Sequence, residues 1–218
     1  MRSNVLVSGC ALAFQACSEK STPTAPSGPS ASFFVTSQTS TTGNLGGLAG
    51  ADATCQRLAV TAGHGSRRWR AYLSVERGVN GQPTHAKDRI GTGPWYNVNL
   101  TLVASTASEL HTRTGDAAVF LDERAQRING QWTGSPTPNQ HDVLTGSNAD
   151  GTVATGLTCS DWTSDSASVT AQVGHADGLG PNQSTAGALA SWNGAHIAQN
   201  CADTAPRGSA GRFYCFAQ

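Results

Sequence analysis

The chain has 218 residues, of which 38% are hydrophobic, and this is enough for one domain that buries a core. Its 14 basic residues balance its 14 acidic residues, so no net field attracts nucleic acid, and a nucleic-acid partner is excluded. The 25 glycines and the low charged fraction of 13% favour short strands and loops over a helical bundle. We therefore expect an all-β or irregular α+β domain.

The first 17 residues predict export. A basic start at Arg2 is followed by a mostly apolar run over 5–14, which is too short to span a bilayer. Ala16 and Cys17 resemble the site at which bacterial lipoproteins are cut and lipidated, so the resemblance implies lipidation at Cys17. Two alternatives stay open: Cys10 fits the cleavage pattern but has almost no apolar run before it, and an ordinary cleaved signal needs no lipid.

Residues 18–32 predict an extended tether, because they contain three prolines and many Ser and Thr but no large apolar side chain. Residues 33–218 contain no fixed-period repeat and no apolar stretch of membrane-spanning length. We predict a signal at 1–17, a linker at 18–32 and one folded domain at 33–218.

The first half of this domain contains recognisable elements. Phe33 to Thr36 reads as a strand, and 69–75 alternates as a strand should. Between them, 48–62 has the period of a helix, whose inward face carries Ala51, Cys55, Leu58, Ala59 and Ala62. A strand at 100–103 and a short helix at 105–113 follow.

The second half is less regular. Residues 130–206 are mostly Gly, Ser, Thr, Asn and Pro, which predicts long loops pinned by the buried aromatic residues Trp132, Trp162 and Trp192. The chain closes on a predicted strand over 211–217.

Four cysteines remain after the signal, namely Cys55, Cys159, Cys201 and Cys215. An even number in an exported chain predicts two disulfides, and three pairings are possible. No C-x-x-C pair or His-rich spacing is present, which argues against a structural zinc site.

The placement of these cysteines resembles that of C-type lectin-like domains. One lies in the first helix, one just before Trp162, and the last in the terminal strand. The stretches 159–163, 191–196 and 213–215 also look like the endostatin domain of collagens and like a bacterial lipoprotein domain of unknown function with the same fold. The resemblance implies a loop-rich α+β, C-type lectin-like (endostatin-like) domain in which a Cys55–Cys215 disulfide is nested around Cys159–Cys201.

The ligand-binding motifs of C-type lectins and of endostatin are not present in this sequence. The calcium motifs of sugar-binding C-type lectins are absent, because glycine stands after Trp192 and Asn193 where those lectins have aspartate. The histidines that bind zinc in endostatin have no counterpart before Phe33.

Three groups of residues remain as candidate binding sites. Asn148 and Asp150 precede a glycine as in part of a calcium loop, although the same pattern makes a plain turn. Trp192 could stack on a sugar if it is exposed. A small basic group, which could equally be a solvated rim, consists of Arg67, Arg68 and Arg70.

No catalytic motif is recognisable, and no two of the six histidines have the i, i+3 or i+4 spacing of a helical metal pair. We expect a non-enzymatic, lipid-anchored module at the outer membrane or cell surface, or a secreted one. Its loops would recognise an extracellular protein or glycan, with no cofactor except calcium at the turn. Two alternatives are a purely architectural protein and an envelope hydrolase using Asp161, Asp165, His175 and Asp177.

Overall fold

The computed structural model describes Met1 and residues 28–218. The fold is mixed α+β, as the composition predicts. Over the described residues the strands are β1 (Phe33–Val35), β2 (Trp69–Ala71), β3 (Trp95–Tyr96), β4 (Leu102–Ala104), β5 (Asp142–Leu144), β6 (Gln172–His175), β7 (His196–Ile197) and β8 (Ser209–Ala217). The helices are α1 (Gly47–Thr61), α2 (Ala107–Thr112) and α3 (Cys159–Trp162). Single 3-10 turns cover Val79–Gly81, Ala86–Arg89, Pro181–Gln183, Gly187–Ala190 and Ala205–Arg207.

The C-terminal strand β8 is the centre of the main sheet. The strand order is β1-β8-β5-β6-β7, and β2 also pairs with β8, while β3 and β4 form a separate pair. β8 runs antiparallel to β1 and β2 and parallel to β5. The last segment of the chain therefore joins the N-terminal elements to the strands of the second half.

Both faces of β8 are buried, so its side chains enter two different cores. Phe213 and Cys215 face a core that also contains α1 and both disulfides. Tyr214 and Phe216 face an aromatic core that contains Trp192. A nine-residue strand with apolar residues on both faces thus holds the two cores together.

Helix α1 follows the predicted period. Its buried residues are Ala51, Cys55, Leu58 and Ala59, and Cys55 points inward as predicted. The helix begins after Gly46, whose φ of 75° is a left-handed conformation that glycine adopts without strain.

Both disulfides that the cysteine count predicts are present. The structure joins Cys55 to Cys215 and Cys159 to Cys201, which is the nested pairing that the lectin-like resemblance implies. Two disulfides indicate that the domain matures in an oxidising compartment outside the cytosol.

The prediction of long loops over 130–206 is wrong where β5, β6 and β7 form. Of the three tryptophans expected to pin this region, Trp162 and Trp192 are fully buried, whereas Trp132 is only half-buried. The second predicted strand ends at Ala71 instead of residue 75.

The helix α3 is a left-handed turn, which the sequence does not indicate. Its four residues have φ values of 48° to 65°, a conformation that costs non-glycine residues about 1–2 kcal/mol each. The disulfide at Cys159 holds one end, and the indole of Trp162 donates to the carbonyl of Ser74 at the other.

Ala31 and Ser32, which directly precede the predicted start of the domain at residue 33, are buried. The amide of Ser32 donates to the carbonyl of Tyr96, and its own carbonyl accepts from the amide of Ala217. The predicted signal with Cys17, and the linker up to residue 27, lie outside the described residues. Within residues 28–218, no helix combines the length and apolarity that a membrane span requires.

We expect the outer disulfide to stabilise the fold more than the inner one. In the chain-entropy model, the closed loops imply losses of about 5 kcal/mol for Cys55→Ala/Cys215→Ala and about 4 kcal/mol for Cys159→Ala/Cys201→Ala. Urea unfolding of both double variants measures the two losses. A larger loss for the inner pair would mean that it acts mainly by holding the left-handed turn rather than by loop closure.

Candidate metal centre

Three strand segments carry histidine and aspartate to one end of the sheet. Asp142 in β5 pairs directly with His175 in β6, and residues at paired positions project to the same face. His196 in β7 pairs with Val173, two residues before His175, so it reaches the same face. His141, immediately before β5, stacks on the ring of His175 with 4.4 Å between centroids.

The three imidazoles converge on the carboxylate of Asp142. The Nε2 atoms of His141 and His175 lie 3.2 and 3.3 Å from Oδ1 of Asp142. The Nε2 atom of His196 lies 3.4 Å from Oδ2. One carboxylate is thus surrounded by three ring nitrogens.

The opposite ring nitrogens identify the tautomers. Nδ1 of His141 contacts Oδ1 of Asp177 at 2.6 Å, and Nδ1 of His175 contacts the carbonyl of Leu189 at 2.8 Å. Nδ1 of His196 contacts the carbonyl of Ile197 at 2.9 Å. Since these oxygens can only accept, each Nδ1 donates, and the Nε2 of each neutral ring carries a lone pair directed at Asp142.

Positive charge at the centre of this arrangement would stabilise it. Asp142 is fully buried and His175 nearly so, and neither Asp142 oxygen nor Nε2 of His175 has a hydrogen bond of good geometry. Lone pairs facing a buried carboxylate repel it, and a buried charge without compensation is costly. Protons on the rings or a metal ion between them would remove this repulsion.

The electrostatics of the cluster favour the charged carboxylates. Burial raises the pKa of Asp142, but its contacts with His175 and His196 outweigh burial and hold the pKa below its usual value. Burial of Asp177 is likewise outweighed by hydrogen bonds, chiefly from His141, so its pKa is also lowered. Contact with Asp142 raises the pKa of His196 against the effect of burial.

The donors fit a zinc-type ion. Ligands at 2.0–2.1 Å from a tetrahedral ion are separated by about 3.3 Å, close to the observed nitrogen–oxygen distances. His141, Asp142 and His175 offer donor atoms that all lie within 4.8 Å of one another. Imidazole and carboxylate donors suit Zn²⁺ or Cu²⁺, whereas Ca²⁺ and Mg²⁺ prefer oxygen alone. The Nδ1 contacts to a carboxylate and to carbonyls are the outer contacts typical of metal-binding histidines.

The sequence matches a family model described as "Protein of unknown function (DUF1554)" over residues 38–179, which is more than half of the chain. The chain belongs to the DUF1554 family. The matched region includes His141, Asp142, His175 and Asp177, while His196 lies beyond it. No curated protein matches the chain.

In this DUF1554 chain, Asn148 and Asp150 are engaged in a turn. The side-chain amide of Asn148 donates to Thr152 and Val153, and Oδ1 of Asp150 accepts from the amide and hydroxyl of Thr152. Hydrogen bonds from Thr152 lower the pKa of Asp150, and the nearby basic residues Lys87 and His111 lower this pKa further. Asn148 and Asp150 therefore form a plain turn, which was the alternative to calcium binding. Within residues 28–218, Asp150 belongs to no group of three or more metal-type donors.

The arginine candidates lie away from this cluster, at the edge of β2. Arg67 contacts the carbonyls of Ala217 and Gln218, and Arg68 is exposed. Arg68 and Arg70 both lie close enough to Arg89 to lower its pKa, although burial of Arg89 is the larger cause. The three arginines thus form a basic group, and ligand binding by this group stays a prediction.

The proposal that Trp192 stacks on a sugar is wrong. Its side chain is fully buried in the aromatic core, where the indole donates to the carbonyl of Leu110. The ring packs against Tyr72 and Tyr214 at centroid distances of 4.7 and 5.0 Å. The residue before it, Ser191, contacts the candidate metal centre, since its carbonyl accepts from the amide of His175.

The four residues nominated for a hydrolase do not come together. His175 and Asp177 belong to the candidate metal centre, but Asp161 accepts from the amides of Glu76 and Arg77 instead. Asp165 is exposed on the surface. The candidate metal centre also contains His141, Asp142 and His196. The sequence does not reveal this group, because the segments around residues 141, 175 and 196 are far apart in the chain. The only local signals are single β-branched neighbours, Val143 next to Asp142 and Ile197 next to His196, which are too short to predict a strand.

Gly130 leaves the space in which Asp177 orients His141. A Cβ at this position would lie 2.2 Å from Oδ2 of Asp177 and 3.1 Å from Cβ of His141. We expect Gly130→Ala to lower the free energy of unfolding by about 1–3 kcal/mol, because the carboxylate must shift. Urea unfolding tests this, with Gly28→Ala as the control because nothing lies within 4 Å of its Cβ position. An equal effect of both variants would contradict the close contact.

Proposed function

We propose that this protein is an exported recognition module of C-type lectin-like fold, in which a zinc-type ion organises the loops of the second half. The observation that carries the proposal is the convergence of three histidine Nε2 atoms on the buried carboxylate of Asp142, at 3.2–3.4 Å. The ion would neutralise the buried carboxylate of Asp142 and bind the imidazole lone pairs that otherwise repel it. It would also bind β5, β6 and β7 together.

The lectin-like fold is supported by the disulfide pattern. A helix cysteine joins the terminal strand, and an inner pair begins just before Trp162, as the resemblance implies. The α+β architecture agrees with it. A lipid anchor at Cys17 remains part of this proposal and rests on the Ala16-Cys17 sequence, with attachment to the outer membrane or cell surface.

Recognition is favoured over hydrolysis because the centre has no free general base. Asp142 is itself a donor to the proposed ion. The two oxygens of Asp177 already accept from His141 and from the amides of Gln131 and Leu179. A metal-dependent hydrolase needs a group that takes a proton from bound water. An envelope hydrolase therefore remains the less supported alternative.

A zinc titration of the oxidised full chain tests the metal centre. We expect one Zn²⁺ ion per chain and an affinity about 100-fold or more lower in His175→Gln, which removes a buried donor. His64→Gln is the control, because His64 lies outside the cluster and the variant keeps the same cysteines. Absence of stoichiometric zinc in the native chain, or equal zinc affinity in His175→Gln, would contradict the proposal.

The recognition role is tested by binding to a glycan array and to heparin with zinc, with calcium and with chelator. We expect zinc-dependent binding that calcium does not restore, because the imidazole donors do not suit calcium. Binding that calcium alone supports would instead assign the turn at Asn148 and Asp150 as the site. Binding unaffected by chelator would point to the basic group of Arg67, Arg68 and Arg70.

A further inference from the structure

We propose that the metal centre binds an oxyanion, the carboxylate or phosphate group of a ligand, at its His196 edge, with Arg207 as the second contact. This inference rests on the proposed metal centre and names the ligand chemistry of that same site. It follows from the difference between His196, which contacts Asp142 but lies outside the group of three mutually close donors, and the buried donors His141, Asp142 and His175, and from the charge beside His196.

Three donors are fixed by their surroundings. His141, Asp142 and His175 are all buried. Two of them are anchored through other segments, His141 by Asp177 and His175 by the carbonyl of Leu189. The backbone of Asp142 is held on both sides, since its amide donates to Gly208 and its carbonyl accepts from the hydroxyl of Ser209.

His196 is held much less firmly. Its side chain is 29% exposed, and its Nδ1 atom contacts only the carbonyl of the next residue, Ile197. It lies on the two-residue strand β7, the last in the sheet, which pairs with β6 alone. Three rigid protein donors and one replaceable position form the arrangement in which zinc accepts an outside ligand.

Arg207 supplies positive charge at this replaceable position. Its Nη1 donates to the carbonyl of Ile197 at 3.3 Å, the same oxygen that Nδ1 of His196 contacts. The guanidinium is exposed and takes part in none of the ion pairs among residues 28–218. Since Gly208 follows it and contacts the backbone of Asp142, the chain holds Arg207 next to the centre.

The charge balance favours an anion. A divalent ion with the carboxylates of Asp142 and Asp177 and three neutral imidazoles is about neutral, and Arg207 brings the net charge at this edge to about +1. An oxyanion can place one oxygen on the ion in place of His196, while another accepts a charge-assisted hydrogen bond from the guanidinium. A neutral sugar hydroxyl carries no negative charge to pair with the ion or with Arg207. The site therefore selects acidic ligands over neutral ones.

Cobalt substitution of the oxidised full chain tests the inference. Four-coordinate Co²⁺ absorbs visible light more strongly than five-coordinate Co²⁺, and exchange of His196 for an oxygen also shifts the bands. We expect titration with acetate or inorganic phosphate to change the spectrum until it saturates. In Arg207→Gln the anion affinity should fall about 10-fold. Arg57→Gln, which alters an exposed arginine on α1, should bind the anion as the native chain does.

The outcomes separate the two proposals. If the native chain does not bind Co²⁺ at the histidines, the metal centre itself is wrong. If it binds Co²⁺ but neither anion changes the spectrum, the metal centre stands and the oxyanion site is overturned. An anion affinity in Arg207→Gln equal to that of the native chain overturns the role of Arg207. A His196→Ala chain that keeps Co²⁺ and still responds to anions supports His196 as the replaceable donor.

Discussion

The pairing of β8 with three other strands is the constraint on which the structure depends. β8 is the only described strand that contacts both the N-terminal strands and the strands of the second half. Its alternation divides the interior into a core with the disulfides and a core of aromatic residues. Its pairing with β5 also places Asp142 opposite Ser209, so the position of the candidate metal centre follows from the same strand.

A metal ion at the candidate centre would neutralise a buried charge that the fold itself creates. A strand that enters the sheet with aspartate at its first residue places a carboxylate where water cannot reach it. Three imidazoles surround this carboxylate, and the groups that hold two of them, Asp177 and the carbonyl of Leu189, both lie in the connection between β6 and β7. This connection is irregular, so the ion would supply order that regular secondary structure does not.

The sequence predicts the elements whose signals are local. The 3.6-residue period around Cys55 predicts α1, and the apolar run at Phe213 predicts β8. β5 and β6 are three and four residues long and lie within a Gly- and Ser-rich region, so their periodicity is too short to recognise. The candidate metal centre has no recognisable sequence spacing, because strand pairing brings its histidines together. The left-handed turn at α3 is set by its disulfide and by burial of Trp162, which propensity does not describe.

The place of β8 after all the other described elements also governs the order in which the disulfides can form. Cys55 and Cys159 both precede their partners, Cys201 and Cys215, in the chain. Oxidation in order of synthesis would join the first two cysteines to each other, a pairing that the native structure does not contain. Correct pairing therefore has to wait until β8 has entered the sheet, or it requires a disulfide isomerase. A domain whose central strand is made after its other described strands is, in this sense, oxidised correctly only once that strand is in place.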